Sequence, residues 1–180
     1  MPMAPVKGNV NPKQRQYEAM VRALSADLYR FAFWLSRSET VAQDLVQETF
    51  LRAWKNLDAL RDAESAKPWL ITILRREHAR LYERKRFDTV ELDDSVPEDA
   101  AFASPERSGD AAQVRDAMLK LPDKYREPLA MQVLGGMSCD EIAAATDQQP
   151  GAVMTQLFRA RQRLKQLLGG GKSTTEGVRR

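Results

Sequence analysis

Residues 138–168 read SCDEIAAATDQQPGAVMTQLFRARQRLKQLL, and this stretch decides the fold class. Ser138 followed by Glu141 has the form of a capping box, in which the serine hydroxyl and the glutamate carboxylate each take up a backbone N–H at a helix start. A short helix through Ile142 and Ala145 follows, then a turn at Asp147-Gln148-Gln149. Pro150 suits the first turn of the next helix, and Val153, Leu157, Ala160, Leu164 and Leu167 recur at spacings of 4, 3, 4 and 3. A short capped helix, a tight turn and a longer helix make a helix-turn-helix.

The outward positions of the longer helix are Met154, Thr155, Gln156, Phe158, Arg159, Arg161, Gln162, Arg163 and Lys165. Polar residues near its N-terminal end suit base edges in a major groove. The arginines further along suit phosphate, because a guanidinium fork matches phosphate oxygens and releases counterions. A bundle helix with a solvated basic face would have the same sequence pattern.

Upstream, Val114, Met118 and Leu121 share a helical face broken by Pro122, and a further helix from Asp123 to Leu134 stops at Gly135-Gly136. Residues 88–110 carry eight acids against the single Arg107, with Pro97, Pro105 and Gly109 and no apolar period, so they read as a flexible acidic linker. Before the linker, three helical stripes are visible. The first runs from Tyr17 to Leu35 and the second from Val41 to Leu57, with Ser38 as its N-cap. The third opens at Ser65 with Pro68 in its first turn. The expected architecture is all-α, with two small helical domains on a strap. Its boundaries are 1–13 disordered, 14–87 an N-terminal bundle, 88–110 linker, 111–168 the helix-turn-helix domain, and 169–180 a disordered tail.

The 180 residues carry a net charge of +3 and 43% hydrophobic residues, an ordinary balance for a soluble protein. One cysteine, Cys139, excludes an internal disulfide framework and points to a reducing cytoplasm. Cys139 reads as a partly buried structural thiol. The lone His78 lies far from it, so no metal site is expected, and no phosphate loop or catalytic set indicates a cofactor or an enzyme.

Two further segments carry chemistry. Residues 69–86, WLITILRREHARLYERKR, interleave Arg75, Arg76, Arg80, Arg84, Lys85 and Arg86 with aromatic residues. Single-stranded DNA favours that mixture of backbone neutralisation and stacking, and a solvated charged face accounts for it equally well. Residues 44–60, DLVQETFLRAWKNLDAL, set Asp44 and Glu48 against Arg52 and Lys55 on one helical face. That face could dock a partner protein, although Glu48 and Arg52 at i,i+4 also support the helix itself.

These segments resemble a known family, the extracytoplasmic-function sigma factors. DLVQETFLRAWKNLDAL is similar to the helix by which they grip the clamp coiled coil of the largest polymerase subunit. KPWLITILRREHARLYERKR (67–86) is similar to the segment that melts and reads the minus-10 promoter element. Residues 121–168, from LPDKYREPLAM to the final QLL, are similar to the C-terminal helix-turn-helix that reads the minus-35 element. The resemblance spans roughly Tyr17 to Leu168, with the blocks in the family's order.

The resemblance implies polymerase contact at or supported by Asp44, Gln47, Glu48, Arg52 and Trp54. It implies minus-10 contact by the loop 60–67, with Arg61, Asp62, Ser65 and Lys67, and by Arg75, Arg76, Arg80, Arg84 and Lys85, with Trp69 beneath the loop. It implies minus-35 contact by Ser138, Pro150, Gly151, Met154, Thr155, Gln156, Phe158, Arg159, Arg161 and Arg163. The implied partners are bacterial RNA polymerase core, through its clamp coiled coil and beta flap, promoter DNA, and an anti-sigma factor, soluble or membrane-bound.

Two departures from the family pattern stand out. Arg76 lies near a position commonly held by asparagine. Met154-Thr155-Gln156 replaces a basic and hydroxyl pair, with Phe158 in place of a common histidine. Both bear on the promoter sequence preferred. The competing readings are a stand-alone helix-turn-helix regulator and a sigma mimic that occupies a partner without reading DNA.

Overall fold

The computed structural model describes residues 11–88 and 109–169, and over these the chain is all-α. Helix α1 spans Pro12–Ser36. Asn11 caps it, its Oδ1 accepting from the Lys13 N–H at 3.0 Å, and Pro12 sits where no N–H partner is needed. Pro12 and Lys13 therefore belong to a helix and not to the disordered leader expected over 1–13. The cap and first-turn pair that starts this helix carries no apolar period, so the stripe from Tyr17 onward underestimated its length.

Arg37 ends α1 in the left-handed region at φ 57°, its N–H returning to the Phe33 carbonyl at 2.8 Å. Helix α2, Glu39–Lys55, starts at Ser38, whose Oγ accepts from the Val41 N–H at 3.4 Å. Arg52 and Lys55 in its last turn complement the negative end of the helix dipole. A 3-10 turn, Leu57–Ala59, and an exposed loop lead to α3, Ala66–Asp88. The acidic stretch expected as a linker lies outside the described residues, apart from its ends, as do the first ten residues and the tail beyond Gly169.

The second half comprises α4, Asp110–Leu119, α5, Asp123–Val133, α6, Cys139–Thr146, and α7, Pro150–Gly169. The capping box expected at Ser138 is present: the Glu141 N–H donates to Ser138 Oγ at 3.2 Å and the Ser138 N–H donates to Glu141 Oε2 at 2.8 Å. Pro150 is the first residue of α7, as its spacing predicts.

In the first half Leu28, Phe31, Ala32, Leu45, Ala53, Leu70 and Leu74 are buried among α1, α2 and α3. In the second, Leu121, Leu129, Met131, Ile142, Val153, Leu157 and Ala160 are buried among α4 to α7. Helix α1 also packs against α5, and the buried residues form one continuous cluster. Gly135 marks a close approach between the halves. A Cβ there would lie 2.3 Å from the Met131 carbonyl oxygen and 2.7 Å from Ile71 Cδ1 on α3. Gly136 supplies the left-handed turn at φ 65°, its N–H returning to the Gln132 carbonyl at 3.1 Å.

Arg126 on α5 fastens the two halves. It is only 2% exposed, and its guanidinium donates to the carbonyls of Trp34 at 2.9 Å, Leu121 at 2.8 Å and Leu119 at 3.3 Å, and to the Asp123 carboxylate. Trp34 lies in the last turn of α1, and Leu119 and Leu121 lie at and just beyond the end of α4, where carbonyls lack intrahelical partners and the dipole is negative. Burial pulls the Arg126 pKa below the ordinary guanidinium value, the Asp123 carboxylate opposes that fall, and nearby Arg37 adds to it. One cation thus caps two helix ends that come from different halves of the chain. Among the described residues no helix is long and apolar enough to cross a membrane.

Candidate functional site

Three surfaces carry the residues singled out in the sequence. On α2, Asp44 and Gln47 are exposed and Glu48 is half-buried. Leu51, 56% exposed, continues the face with Lys55, at i, i+4, i+7 and i+11 from Asp44 through Glu48. Sequence reasoning passed over Leu51 because an apolar residue on a helix is first assigned to the core. Its register with Asp44 and Glu48, off the buried stripe of Ala42, Leu45, Thr49 and Ala53, was the available signal.

Arg52 and Trp54 behave differently. Arg52 Nε lies 2.7 Å from Glu77 Oε1 on α3 and 3.0 Å from Glu48 Oε1, but out of line for a hydrogen bond with either. Glu77, 9% exposed, is also held by Arg80 at 3.1 Å, so the buried carboxylate is balanced by two guanidinium groups. Arg52 thereby ties α2 to α3. Trp54 packs edge-on against Tyr17 at 5.0 Å between centroids, with Lys13 Nζ 5.8 Å from its ring centre. Lys13 pairs with Asp58 at 2.9 Å, so Trp54 helps to hold the start of α1. The Tyr17 hydroxyl donates to the Phe50 carbonyl at 3.0 Å.

The second surface is the loop before α3 and the exposed side of that helix. Arg61, Asp62 and Ser65 are exposed. Asp62 Oδ1 accepts from both the N–H and the hydroxyl of Ser65, each at 2.7 Å, which rigidifies the entry to α3. These bonds, the hydroxyl first, hold the Asp62 carboxyl below its usual range. Lys67 is tied to Asp27 on α1 at 2.7 Å, and Trp69 is half-buried. Arg76, Arg80 and Arg84 form an exposed i, i+4, i+8 stripe, and Lys85 follows on the last turns of α3.

Arg75 does not join them. One step round the helix from Arg76, it faces the second half, with Nε 2.5 Å from Glu127 Oε1 and Nη1 donating to the Ala145 carbonyl at 3.0 Å. His78 and Tyr82 line the adjacent cleft with Leu35, Asp123, Arg126 and Glu127, their rings 5.7 Å apart.

The third surface is α7. Gly151, Met154, Thr155, Phe158, Arg159, Arg161 and Arg163 are exposed, and Pro150 and Ser138 stand at the starts of α7 and α6. Arg161 donates to Gln132 Oε1 on α5. The Thr155 hydroxyl donates back to the Gly151 carbonyl at 2.9 Å. Gln156 departs from the outward set. It is half-buried, with its Oε1 shielded from solvent, because it borders the buried stripe of Val153, Leu157 and Ala160.

The geometry agrees with comparisons to known proteins. The family model described as Sigma-70 region 2 matches residues 20–87, and that described as Sigma-70, region 4, matches residues 111–164. The ECF RNA polymerase sigma factor SigM of Bacillus subtilis (strain 168) is 31% identical over 148 residues, 81% of this chain and 90% of the relative. The chain belongs to the ECF RNA polymerase sigma factors. The ECF sigma factor EcfG of Rhodopseudomonas palustris (strain TIE-1) is 33% identical over 153 residues, 82% of each chain. Among solved structures, the sigma factor RpoE from Bartonella quintana, in complex with the anti-sigma factor NepR, superposes with a TM-score of 0.67 at 28% identity, covering 86% of this chain and 98% of that one. CnrH, solved with the cytosolic domain of CnrY, gives a TM-score of 0.60 at 26% identity, covering 87% and 90%. On this ECF sigma factor, region 2 takes in most of α1 with α2 and α3, and region 4 takes in most of α4 to α7.

Proposed function

We propose that this chain reads promoters for a bacterial RNA polymerase, bringing the core enzyme to specific start sites and leaving catalysis to it. The observation that carries the reading is α7: a helix-turn-helix recognition helix, most of it inside the region 4 match, with an open N-terminal face followed by Arg159, Arg161 and Arg163. Asp44, Gln47, Glu48 and Leu51 form the face offered to the polymerase clamp, with Arg52 and the exposed Trp54 flanking it. The loop 60–67 would hold a flipped minus-10 base, at a cost in unstacking that the pocket contacts offset. Arg76, Arg80, Arg84 and Lys85 neutralise the nontemplate strand, and Arg75 joins them when it leaves Glu127. The likeness to RpoE in its NepR complex supports control of this chain by an anti-sigma partner.

The test is transcription in vitro with sigma-free core polymerase, fragmented genomic DNA and the full chain, with start sites sequenced. Discrete starts sharing two upstream elements about one and a half to two helical turns apart are expected. Binding to core without transcription would favour a mimic. Tight binding to a duplex site without core, in the nanomolar range, would favour a stand-alone regulator.

A further inference from the structure

Met154 and Phe158 are 61% and 62% exposed, and they stand one turn apart on α7. Both lie away from the buried stripe of Val153, Leu157 and Ala160, so neither can turn inward without unpacking the second half. An i,i+4 apolar pair adds a few tenths of a kcal/mol to its own helix, which does not require so much area open to water. Beside it the Thr155 hydroxyl donates its proton to the Gly151 carbonyl, and the Gln156 Oε1 is turned away from solvent. The first two turns of this helix therefore offer a groove two large apolar side chains beside these polar groups. Arg159 and Arg163, exposed at the next positions, supply the positive charge that a polyanionic partner requires.

The apolar group that a base pair exposes in the major groove is the C5-methyl of thymine. We propose that Met154 and Phe158 are specificity-determining residues that read two thymine methyls in the upstream promoter element. This rests on the reading of α7 as the major-groove helix and adds the chemistry it selects. Residues four apart rise about 6 Å along a helix, against about 3.4 Å per base pair, so the two methyls lie one or two base-pair steps apart. Both A·T orientations place a methyl in the groove on one strand or the other, so the thymines need not share a strand.

The test uses the full chain with core polymerase on a promoter found by the transcription experiment. Each thymine of the upstream element, on either strand, is replaced singly by deoxyuridine, which removes the methyl and leaves the pairing intact. Two positions are expected to weaken promoter binding, each about fourfold, the loss expected for one buried methyl. Phe158→Ala and Met154→Ala should each weaken the natural promoter, and each should abolish the deoxyuridine effect at one of the two positions. Circular dichroism should show both variants folded, since the side chains are surface-borne. The proposal is overturned if deoxyuridine is neutral throughout the element, if the element holds no thymine, or if the penalties persist unchanged in both variants. In each of those cases discrete promoter complexes still form and the sigma reading stands. Failure to form any promoter-specific complex with core overturns both.

Discussion

Replacing Arg126 with methionine removes a buried cation that satisfies three backbone carbonyls. The Trp34 carbonyl has no helical alternative: the Ser38 N–H that would meet it if α1 continued donates instead to Ser36 Oγ at 3.3 Å. The Leu121 carbonyl is in a similar position, because the Tyr125 N–H donates to the Pro122 carbonyl at 2.9 Å. A buried carbonyl left without a donor costs about 1–3 kcal/mol. Methionine fills much of the volume and removes the cost of burying a charge, which offsets part of the loss. The net destabilisation expected for Arg126→Met is about 3–5 kcal/mol, the loss at three such carbonyls less that offset. For a chain of this length that corresponds to a fall in melting temperature of roughly 6–20 °C. Urea and thermal unfolding followed by circular dichroism measure it. Arg126→Lys, which keeps the charge but cannot span all three carbonyls, should fall between. A methionine variant within about 1 kcal/mol of the parent, against the 3–5 expected, would refute the idea that this guanidinium fastens α1 to α4 and α5.

Leu51→Asp should weaken binding to core polymerase by roughly tenfold or more, through a charge stranded in an apolar contact, while leaving unfolding within about 0.5 kcal/mol; unchanged affinity removes Leu51 from the face. Glu127→Gln releases Arg75 and should raise promoter-complex formation about two- to fivefold, read by transcription with core enzyme. If Arg75→Ala then transcribes like the parent, Arg75 has no role on DNA. Gly135→Ala forces a Cβ against the Met131 carbonyl and Ile71 and should cost about 1–3 kcal/mol in urea unfolding; an unchanged midpoint would mean that the halves yield there. Asp62, its carboxyl depressed by Ser65, favours the ordered loop fully above the ordinary value of 3.8 and loses that preference as pH falls through its folded pKa. A carboxyl-carbon NMR titration should place its midpoint below 3.8, with Ser65→Ala moving it back up; a parent midpoint at or above 3.8 contradicts the geometry.

The helical class, the caps at Ser38 and Ser138 and the start of α7 at Pro150 are legible along the chain. Each of these depends on residues within about one turn of one another or on a period repeated along one helix, so no tertiary information is needed to read it. Asn11-Pro12 is local too, but it lies ahead of the apolar stripe, where no period marks the helix start. What the side chains at those periods do follows only from how the helices pack. Arg75 and Arg76 are equivalent in sequence, yet one step round a helix turns Arg75 to Glu127, 52 positions away, and leaves Arg76 in solvent. The same rotation buries the Gln156 oxygen while Met154 and Phe158 stay open, and sends Arg52 to Glu77 while Leu51 faces outward. Arg126 reads in sequence as one more surface base. It is buried because α1 and α4 end beside it, and where two helices end relative to each other is fixed only when their faces pack.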